Sequence, residues 1–385
     1  MKPTAHPRDI FIVCNNIEEL GGLQRWAHHV AGLFAASGHD VHLIGVVHPQ
    51  EVHQYGRDLP YRTTVLHDEH PPSAWSPKRL RDRLNVQAQA REQRRRADVQ
   101  AAADRLTSLF RQARPGGIVI VPQVWAMEWV ALSDPGKLRV IGMSHESFQA
   151  SQASSRFGRV KRYFSDVDLL LLLTQEDADE WVANGMNNTG AIPNPLPITP
   201  EITADRSAKT VVSLGRLSFE KGYDLLLTAW SHVAPRHPDW TLRLFGSGPE
   251  ADNLRKQAAE LGVSGSVEFP GQTADIEGAL RDASVFALAS RAEGFPMSLL
   301  EAMAMGLPCA AFDCAPGVRE IVDDGGNGFL LTPGNTAGLA DALERLITDR
   351  DLRETLGDQA RVDVQQFSAD AILDRWESVF QHLYR

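Results

Sequence analysis

Residues 210–233 read TVVSLGRLSFEKGYDLLLTAWSHV, and this stretch decides the fold. Thr210, Val211 and Val212 are β-branched and, with Ser213 and Leu214, form a short run suited to extended backbone. Gly215 and Gly222 bound a polar turn. From Tyr223 to Val233 apolar side chains recur at helical spacing. Strand, glycine-bounded turn and helix thus follow one another within 24 residues.

The same unit recurs in both directions. Before it, apolar runs at 10–14, 41–47, 118–121, 139–143 and 169–174 predict strands, and 23–37 predicts a helix. After it, strands are expected at 241–245, 266–269, 285–289, 308–312 and 328–331. Helices are expected at 251–261, 296–305, 337–348, 352–365 and 370–383. Strands apolar on both faces, alternating with helices, predict an α/β fold built on parallel sheets. One segment breaks the rhythm. IPNPLPIT at 192–199 holds three prolines, which exclude a helix interior and a central strand. A linker is expected over 193–209. The first domain then spans 1–195, the second 205–365, and a terminal helix 366–385.

The whole sequence has 385 residues, 43% hydrophobic and 23% charged, which fits a two-domain globular protein and excludes disorder, collagen and a disulfide scaffold. The apolar run 167–174 is broken by Asp168 and falls far short of the ~20 residues of a membrane span. Lys2, Arg8 and Asp9 are followed by no apolar stretch of signal-peptide length, so no secretion signal is expected. Cys14, Cys309 and Cys314 are an odd number without metal-ligand spacing, so a reduced, cytoplasmic protein is expected. A net charge of −10 argues against nucleic acid as partner. Residues 1–195 hold 22 Lys and Arg against 21 Asp and Glu, whereas 196–385 hold 17 against 28. The two halves therefore present different surfaces. Within the first half, 77–96 concentrates Lys78, Arg79, Arg81, Arg83, Arg91, Arg94, Arg95 and Arg96. It reads either as a solvated helix face or as a peripheral contact with anionic lipid, at the inner face of the cell membrane.

Three turns offer a place for a phosphate. Gly21-Gly22 lies between the first strand and the first helix, where backbone N–H groups meet an anion, though paired glycines also make a plain tight turn. Gly246-Ser247-Gly248-Pro249-Glu250-Ala251 is a passable G-x-G-x-x-A dinucleotide fingerprint with Glu268 downstream. It supports an NAD-dependent oxidoreductase as the alternative reading, but Pro249 removes a donor. In the 215–222 turn, Arg216 can grip phosphate oxygens bidentately and Lys221 can add a point charge, or both are ordinary exposed cations.

The segment 291–306 carries two carboxylates. Pro296 suits a first helical position, which leaves Glu293 in the loop before the helix and Glu301 within it. Met297, Leu299, Leu300, Ala302, Met303, Ala304 and Met305 make that helix apolar nearly all round, and therefore buried. A buried carboxylate at Glu301 needs a partner, either vicinal ligand hydroxyls or an internal salt bridge.

EGFPMSLLEAMAMGLPC at 293–309, with seven residues between Glu293 and Glu301, resembles the signature of glycosyltransferase family 4, in a branch with an EGFPM-type donor loop. GRLSFEKG, Gly246-Ser247-Gly248, AFDCAPGVREIV at 311–322, DGGNGFLL at 324–331 and the Gly21-Gly22 loop match the same family in the same order. The resemblance implies a GT-B architecture, two Rossmann-like domains facing a central cleft, with the last helix crossing back to the first domain. It implies sugar transfer from a nucleotide diphosphate donor with retention and without a bound metal or other cofactor. By this resemblance Glu301 holds ribose hydroxyls and Glu293 the donor-sugar hydroxyls. Arg216 and Lys221 hold the diphosphate, with Gly21 and Gly22 beside it. Gly246, Gly248, Gly294, Phe295, Pro296 and Met297 complete the donor site. Many members have glycine where this chain has Pro296, so the loop has one backbone donor fewer. A proline there also occurs in a branch that builds bacterial surface polysaccharides.

His145 follows the run 139–143 and is placed at the C-terminal edge of the first sheet, where open α/β sheets bind ligands. The family often has a donor-contacting histidine in this loop. The expectation is a retaining hexosyltransferase. It would use a UDP-sugar, with a GDP-sugar second, and a glycan, polyol-phosphate or lipid-linked acceptor. A sugar-nucleotide epimerase of the same architecture and a non-catalytic sugar-binding protein remain alternatives beside the oxidoreductase.

Overall fold

The computed structural model describes residues 4, 6–72, 74–75 and 84–384. Lys78, Arg79, Arg81 and Arg83 of the basic segment lie outside the described residues. The chain forms two compact units. One comprises Met1–His145, Gln152–Ile192 and Leu373–Arg385; the other comprises Glu146–Ser151 and Pro193–Ile372.

Elements alternate along the first part of the chain: β1 (Asp9–Cys14), α1 (Gly22–Ala36), β2 (Asp40–Val47), β3 (Arg62–His67), α2 (Val86–Arg111) and β4 (Ile118–Val121). There follow α3 (Met127–Val130), β5 (Arg139–Met143), α4 (Phe148–Gln152), α5 (Arg156–Phe164), β6 (Leu169–Leu172), α6 (Gln175–Ala183) and β7 (Thr189–Ala191). All strand pairs are parallel, in the order β3-β2-β1-β4-β5-β6-β7.

The second alternation runs β8 (Thr210–Leu214), α7 (Tyr223–Val233), β9 (Thr241–Phe245), α8 (Ala251–Glu260), β10 (Val267–Gly271), α9 (Ile276–Arg281) and β11 (Val285–Leu288). It ends with α10 (Met297–Ala304), β12 (Cys309–Phe312), α11 (Pro316–Ile321), β13 (Gly328–Leu331), α12 (Thr336–Thr348), α13 (Arg350–Asp363) and α14 (Ala369–His382). The sheet order is β10-β9-β8-β11-β12-β13, again parallel throughout.

The central strands of both sheets are buried on both faces, which explains why they read as continuous apolar runs. In the second, Val211, Leu242, Val285 and Ala310 pack with Trp230 of α7 and Leu343 of α12 in one core. The last helix joins the first unit: Trp376 and Phe380 meet Phe34 of α1 at 5.5 and 5.6 Å between ring centroids. His39 Nε2 lies 2.7 Å from Glu377, and the Tyr384 hydroxyl donates to Gly117 O at 2.6 Å.

In each sheet the chain starts at a central strand, winds outward, then reverses. The reversal lies between β1 and β4 in the first sheet and between β8 and β11 in the second. In such sheets the crevice beyond the strand ends at this switch point is where ligands bind.

Candidate active site

Two turns leave the switch point of the second sheet: 215–222 after β8 and 289–296 after β11. Lys221 is on the first and Glu293 on the second. The Lys221 ammonium donates to Glu293 Oε1 at 2.7 Å, and the Ser290 hydroxyl donates to the same oxygen at 2.7 Å. Glu293 is 8% exposed and Lys221 25% exposed. One carboxylate oxygen is thereby fixed. The other, Oε2, makes no hydrogen bond among the described residues and keeps its acceptor capacity.

Glycines set the turns' spacing. Gly222 has φ 63° and caps α7, and a Cβ there would collide with Ala289 O. A Cβ on Gly215 would reach Tyr223 Oη at 2.9 Å and Lys221 Cε at 3.6 Å, so its absence makes room for the lysine stem. Gly317 of α11 comes so close to Gly294 O that a Cβ would overlap it. Cys314, after β12, is half-buried, and burial with the nearby Glu293 charge pushes its thiol up to about 12.

Arg216 shares the turn with Lys221 and is exposed. Phe295 is 3% exposed and packs edge-on against Phe367 at 5.1 Å, while its carbonyl accepts from Asn194 Nδ2 at 2.9 Å. Met297 opens α10, and Glu301, 1% exposed, lies one turn into it. Pro296 differs from expectation. With φ −70° and ψ 110° it is extended and caps the helix, so the first helical residue is Met297. Its carbonyl accepts from Leu299 N and Leu300 N. The Met297 and Ser298 N–H groups lead the helix, in the region where the helix dipole favours an anion.

Gly246 and Gly248 do different work from a dinucleotide turn. A Cβ on Gly246 would collide with Gly215 O and one on Gly248 with Leu217 O. Gly246 N donates to Gly271 O at 2.8 Å and Glu250 N to Leu217 O at 2.9 Å, while Leu217 N donates to Ser247 O at 2.9 Å. Glu268 pairs with Arg243 at 2.7 Å. Glu250 N is thereby engaged in docking this turn onto 215–217, and Gly246 N in holding it to Gly271. A neighbouring turn accounts for the close approach at both glycines, so their spacing does not by itself favour the oxidoreductase reading.

In the first unit, Gly21 caps α1 and Gly22 begins it. His145 follows β5. Its ring meets Trp26 of α1 edge-on at 4.5 Å, and its Nε2 is buried without a hydrogen-bond partner. Burial pushes its pKa down to about 3, so the ring is neutral. The first unit thus carries Gly21, Gly22 and His145 at its own strand ends, and the second brings Lys221 and Glu293 into contact.

Two residues at the second switch point escaped the sequence reading. Arg291 makes a bidentate pair with Asp224, Nη1 to Oδ1 at 2.7 Å and Nη2 to Oδ2 at 2.6 Å. They stand 67 positions apart, beyond the reach of any spacing argument. Their one visible signal was an acid in the first turn of α7. Among the described residues no group of three or more His, Cys, Asp or Glu side chains could hold a metal ion.

Known proteins resemble this chain in sequence and in fold. Residues 198–363 match the family model of Glycosyl transferases group 1. An uncharacterized glycosyltransferase of Haemophilus influenzae is 34% identical over 214 residues, 55% of this chain and 61% of that protein. This chain thus spans less than two thirds of that relative. The amylovoran biosynthesis glycosyltransferase AmsD of Erwinia amylovora is 27% identical over 280 residues, 70% of this chain and 78% of its own. Among solved structures, Anabaena HepE in complex with UDP and glucose superposes with a TM-score of 0.73 at 19% identity, covering 97% of this chain and 99% of that one. The architecture is that of the GT-B fold, two parallel-sheet α/β units, and the residues that match the group 1 model lie in the second of them.

Proposed function

We propose that the chain is a retaining glycosyltransferase of family 4. It moves a hexose or N-acetylhexosamine from a UDP-sugar, with a GDP-sugar second, to a hydroxyl of a glycan, polyol-phosphate or lipid-linked acceptor in cell-surface glycan synthesis. The observation that carries this reading is the Lys221–Glu293 contact at the second switch point, with Glu293 Oε2 left open. A sugar hydroxyl can donate to that oxygen. The departing diphosphate gains negative charge, and Lys221, aided by exposed Arg216, stabilises it. Glu301 is assigned to the ribose, and Met297 and Ser298 N–H to a phosphate. His145, kept neutral, and the Gly21-Gly22 turn are assigned to a ligand at the strand ends of the first unit.

In this reaction the bond from the anomeric carbon to the phosphate oxygen breaks. The acceptor oxygen takes its place on the same face, and its proton passes to the leaving phosphate. Excluding water lets the acceptor react rather than solvent. No metal enters the reading. The UDP preference is supported by the UDP-bound HepE structure, and a biosynthetic sugar transfer by the name of AmsD.

The reading puts the protein in the cytoplasm, with the basic segment 78–96 either a solvated helix face or a contact with the inner membrane face. Of that segment, Arg91 and Arg94 are exposed, whereas Arg95 and Arg96 lie near Glu92. Among the described residues no helix is long and apolar enough to cross a membrane.

The decisive experiment is Lys221→Ala. Turnover measured as nucleotide release should fall by about 2–4 kcal/mol in transition-state stabilisation. Near-normal turnover would remove the leaving-group role.

A further inference from the structure

Arg291 stands between two residues that engage each other, Ser290 and Glu293, yet its own side-chain bonds go to the end of the neighbouring turn and the first turn of α7. Its backbone N–H donates to Glu220 O at 2.8 Å. Its Nη1 donates to Phe219 O at 2.8 Å, and the guanidinium lies 4.2 Å from the centroid of the Phe219 ring. Both its terminal nitrogens bond the Asp224 carboxylate. These bonds hold the Asp224 carboxyl below its ordinary range and the Arg291 guanidinium above its own, so the pair stays charged at any working pH.

Lys221 lies inside the stretch so gripped, with Phe219 and Glu220 before it and Asp224 after it. Glu293 lies two residues beyond Arg291. The two turns are therefore tied twice by side chains, once through Lys221–Glu293 and once through Arg291–Asp224. The ties differ in stiffness. A lysine ammonium is a point charge on a flexible stem, whereas a guanidinium fork on a carboxylate fixes both orientation and distance.

A diphosphate bound by Lys221 would compete with Glu293 for the same ammonium. The first tie then weakens as the donor binds, and the second remains. We propose that Arg291 and Asp224 are positioning residues: their clamp holds the 219–224 turn against 289–293, so that Lys221 is presented to the leaving group after it has left Glu293. Neither residue touches the reacting atoms. The assignment rests on the glycosyltransferase reading above.

The test uses whichever of UDP-glucose, UDP-galactose, UDP-N-acetylglucosamine and GDP-mannose the wild-type chain turns over fastest, with release of nucleotide as readout. Asp224→Asn keeps the size of the side chain and removes its charge. It should lower kcat by about 10- to 100-fold, the order expected when a catalytic group is displaced by about 1 Å, while KM shifts by less than about 3-fold. Arg291→Ala should do the same. Arg291→Lys should not rescue, because one ammonium cannot make the fork. In a Lys221→Ala background, Asp224→Asn should lower kcat by no more than about 2-fold, since the clamp acts through the lysine it positions.

An Asp224→Asn chain with wild-type kcat overturns the assignment. So does a double variant whose losses multiply. Should Arg291→Ala fail to fold, Asp224→Asn alone and in the double variant carries the test. A Lys221→Ala chain as fast as wild type, or a wild-type chain that releases nucleotide from none of the four donors, overturns the glycosyltransferase reading and the clamp with it.

Discussion

The glycine turns of the two units are built on different principles. In the second unit the turns at the strand ends nest by backbone. Gly246 and Gly248 lie against 215–217, Gly222 against Ala289 and Gly317 against Gly294, so the β9, β8, β11 and β12 turns contact in the order of their strands. In the first unit the 15–22 turn is held mainly by side chains. His28 Nε2 donates to Ile17 O at 2.7 Å, and the Tyr55 hydroxyl donates to Glu19 O at 2.7 Å. Asn16 Nδ2 donates to Glu19 at 3.0 Å, and His48 Nδ1 lies 2.5 Å from Glu18. A turn fixed by backbone contact has one shape. A turn fixed by rotatable, titratable groups can be tuned by substitution and by pH.

The sharpest way to break this comparison is to add one methyl group to each turn. Gly222→Ala forces a left-handed residue and a Cβ into a backbone oxygen that cannot swing aside. It should destabilise the second unit by about 3 kcal/mol or more in denaturant unfolding. Gly21→Ala keeps φ at −140°, and its Cβ meets only Gln24 Oε1, at 2.5 Å, the far end of a side chain. A loss of about 1 kcal/mol or less is expected. Equal losses would erase the distinction.

These particulars also show how far the sequence could be read. β4, β5, β8, β9, β13 and α7 fall on the limits expected from apolar runs and helical spacing. β3 was missed because Arg62, Thr63 and Thr64 make an edge strand partly facing water, and β7 because it has three residues. α2 shows its buried face, Val99, Ala102, Ala103, Leu106 and Phe110, only in its second half, after the arginine-dense stretch that was read as 77–96. At the site, Lys221 and Glu293 were read as holding different parts of a ligand. That they grip each other across 72 positions is a tertiary fact, as is the Arg291–Asp224 clamp. The glycines of 246–248 matched a phosphate-binding pattern because close backbone approach is demanded equally by a ligand and by a neighbouring turn.

The second test is pH. His28, His39, His42, His67 and His145 all belong to the first unit, and burial lowers the pKa of each. Bonding agrees: His67 Nε2 accepts from Trp129 Nε1 and His39 Nδ1 from Arg8 N, so neither nitrogen carries a proton. A histidine with a depressed folded pKa takes up its proton on unfolding. Its stabilisation is complete above the unfolded value of about 6.5 and is lost as pH falls below it. His42, at about 4, and His145, at about 3, should together destabilise the first unit by about 2–3 kcal/mol between pH 7.5 and 5.5. In the second unit the depressed groups at the switch point are the carboxyls of Glu220 and Asp224, whose contributions are lost only as pH falls through about 4. Hydrogen exchange, corrected for intrinsic rates, should therefore rise first in 9–192 and only at lower pH in 210–363. Simultaneous loosening of both regions would contradict the division.

The smallest expected effect probes the tuning itself. Tyr55→Phe removes the bond to Glu19 O but keeps the ring, which stacks on His28 at 3.9 Å with 12° between planes. Only the hydrogen bond is deleted, so a loss of about 0.5–1.5 kcal/mol is expected. The consequence should be local. Amides of 17–22 should exchange faster while those of 215–222 keep their rates, because no backbone contact of the second unit depends on Tyr55. Burial also raises the Tyr55 pKa, so its hydroxyl stays protonated and its bond should hold across the pH range that titrates the histidines. If Tyr55→Phe instead loosened the turn as much as acid does, this hydroxyl, and not the set of neutral rings, would be what shapes the first-unit turn.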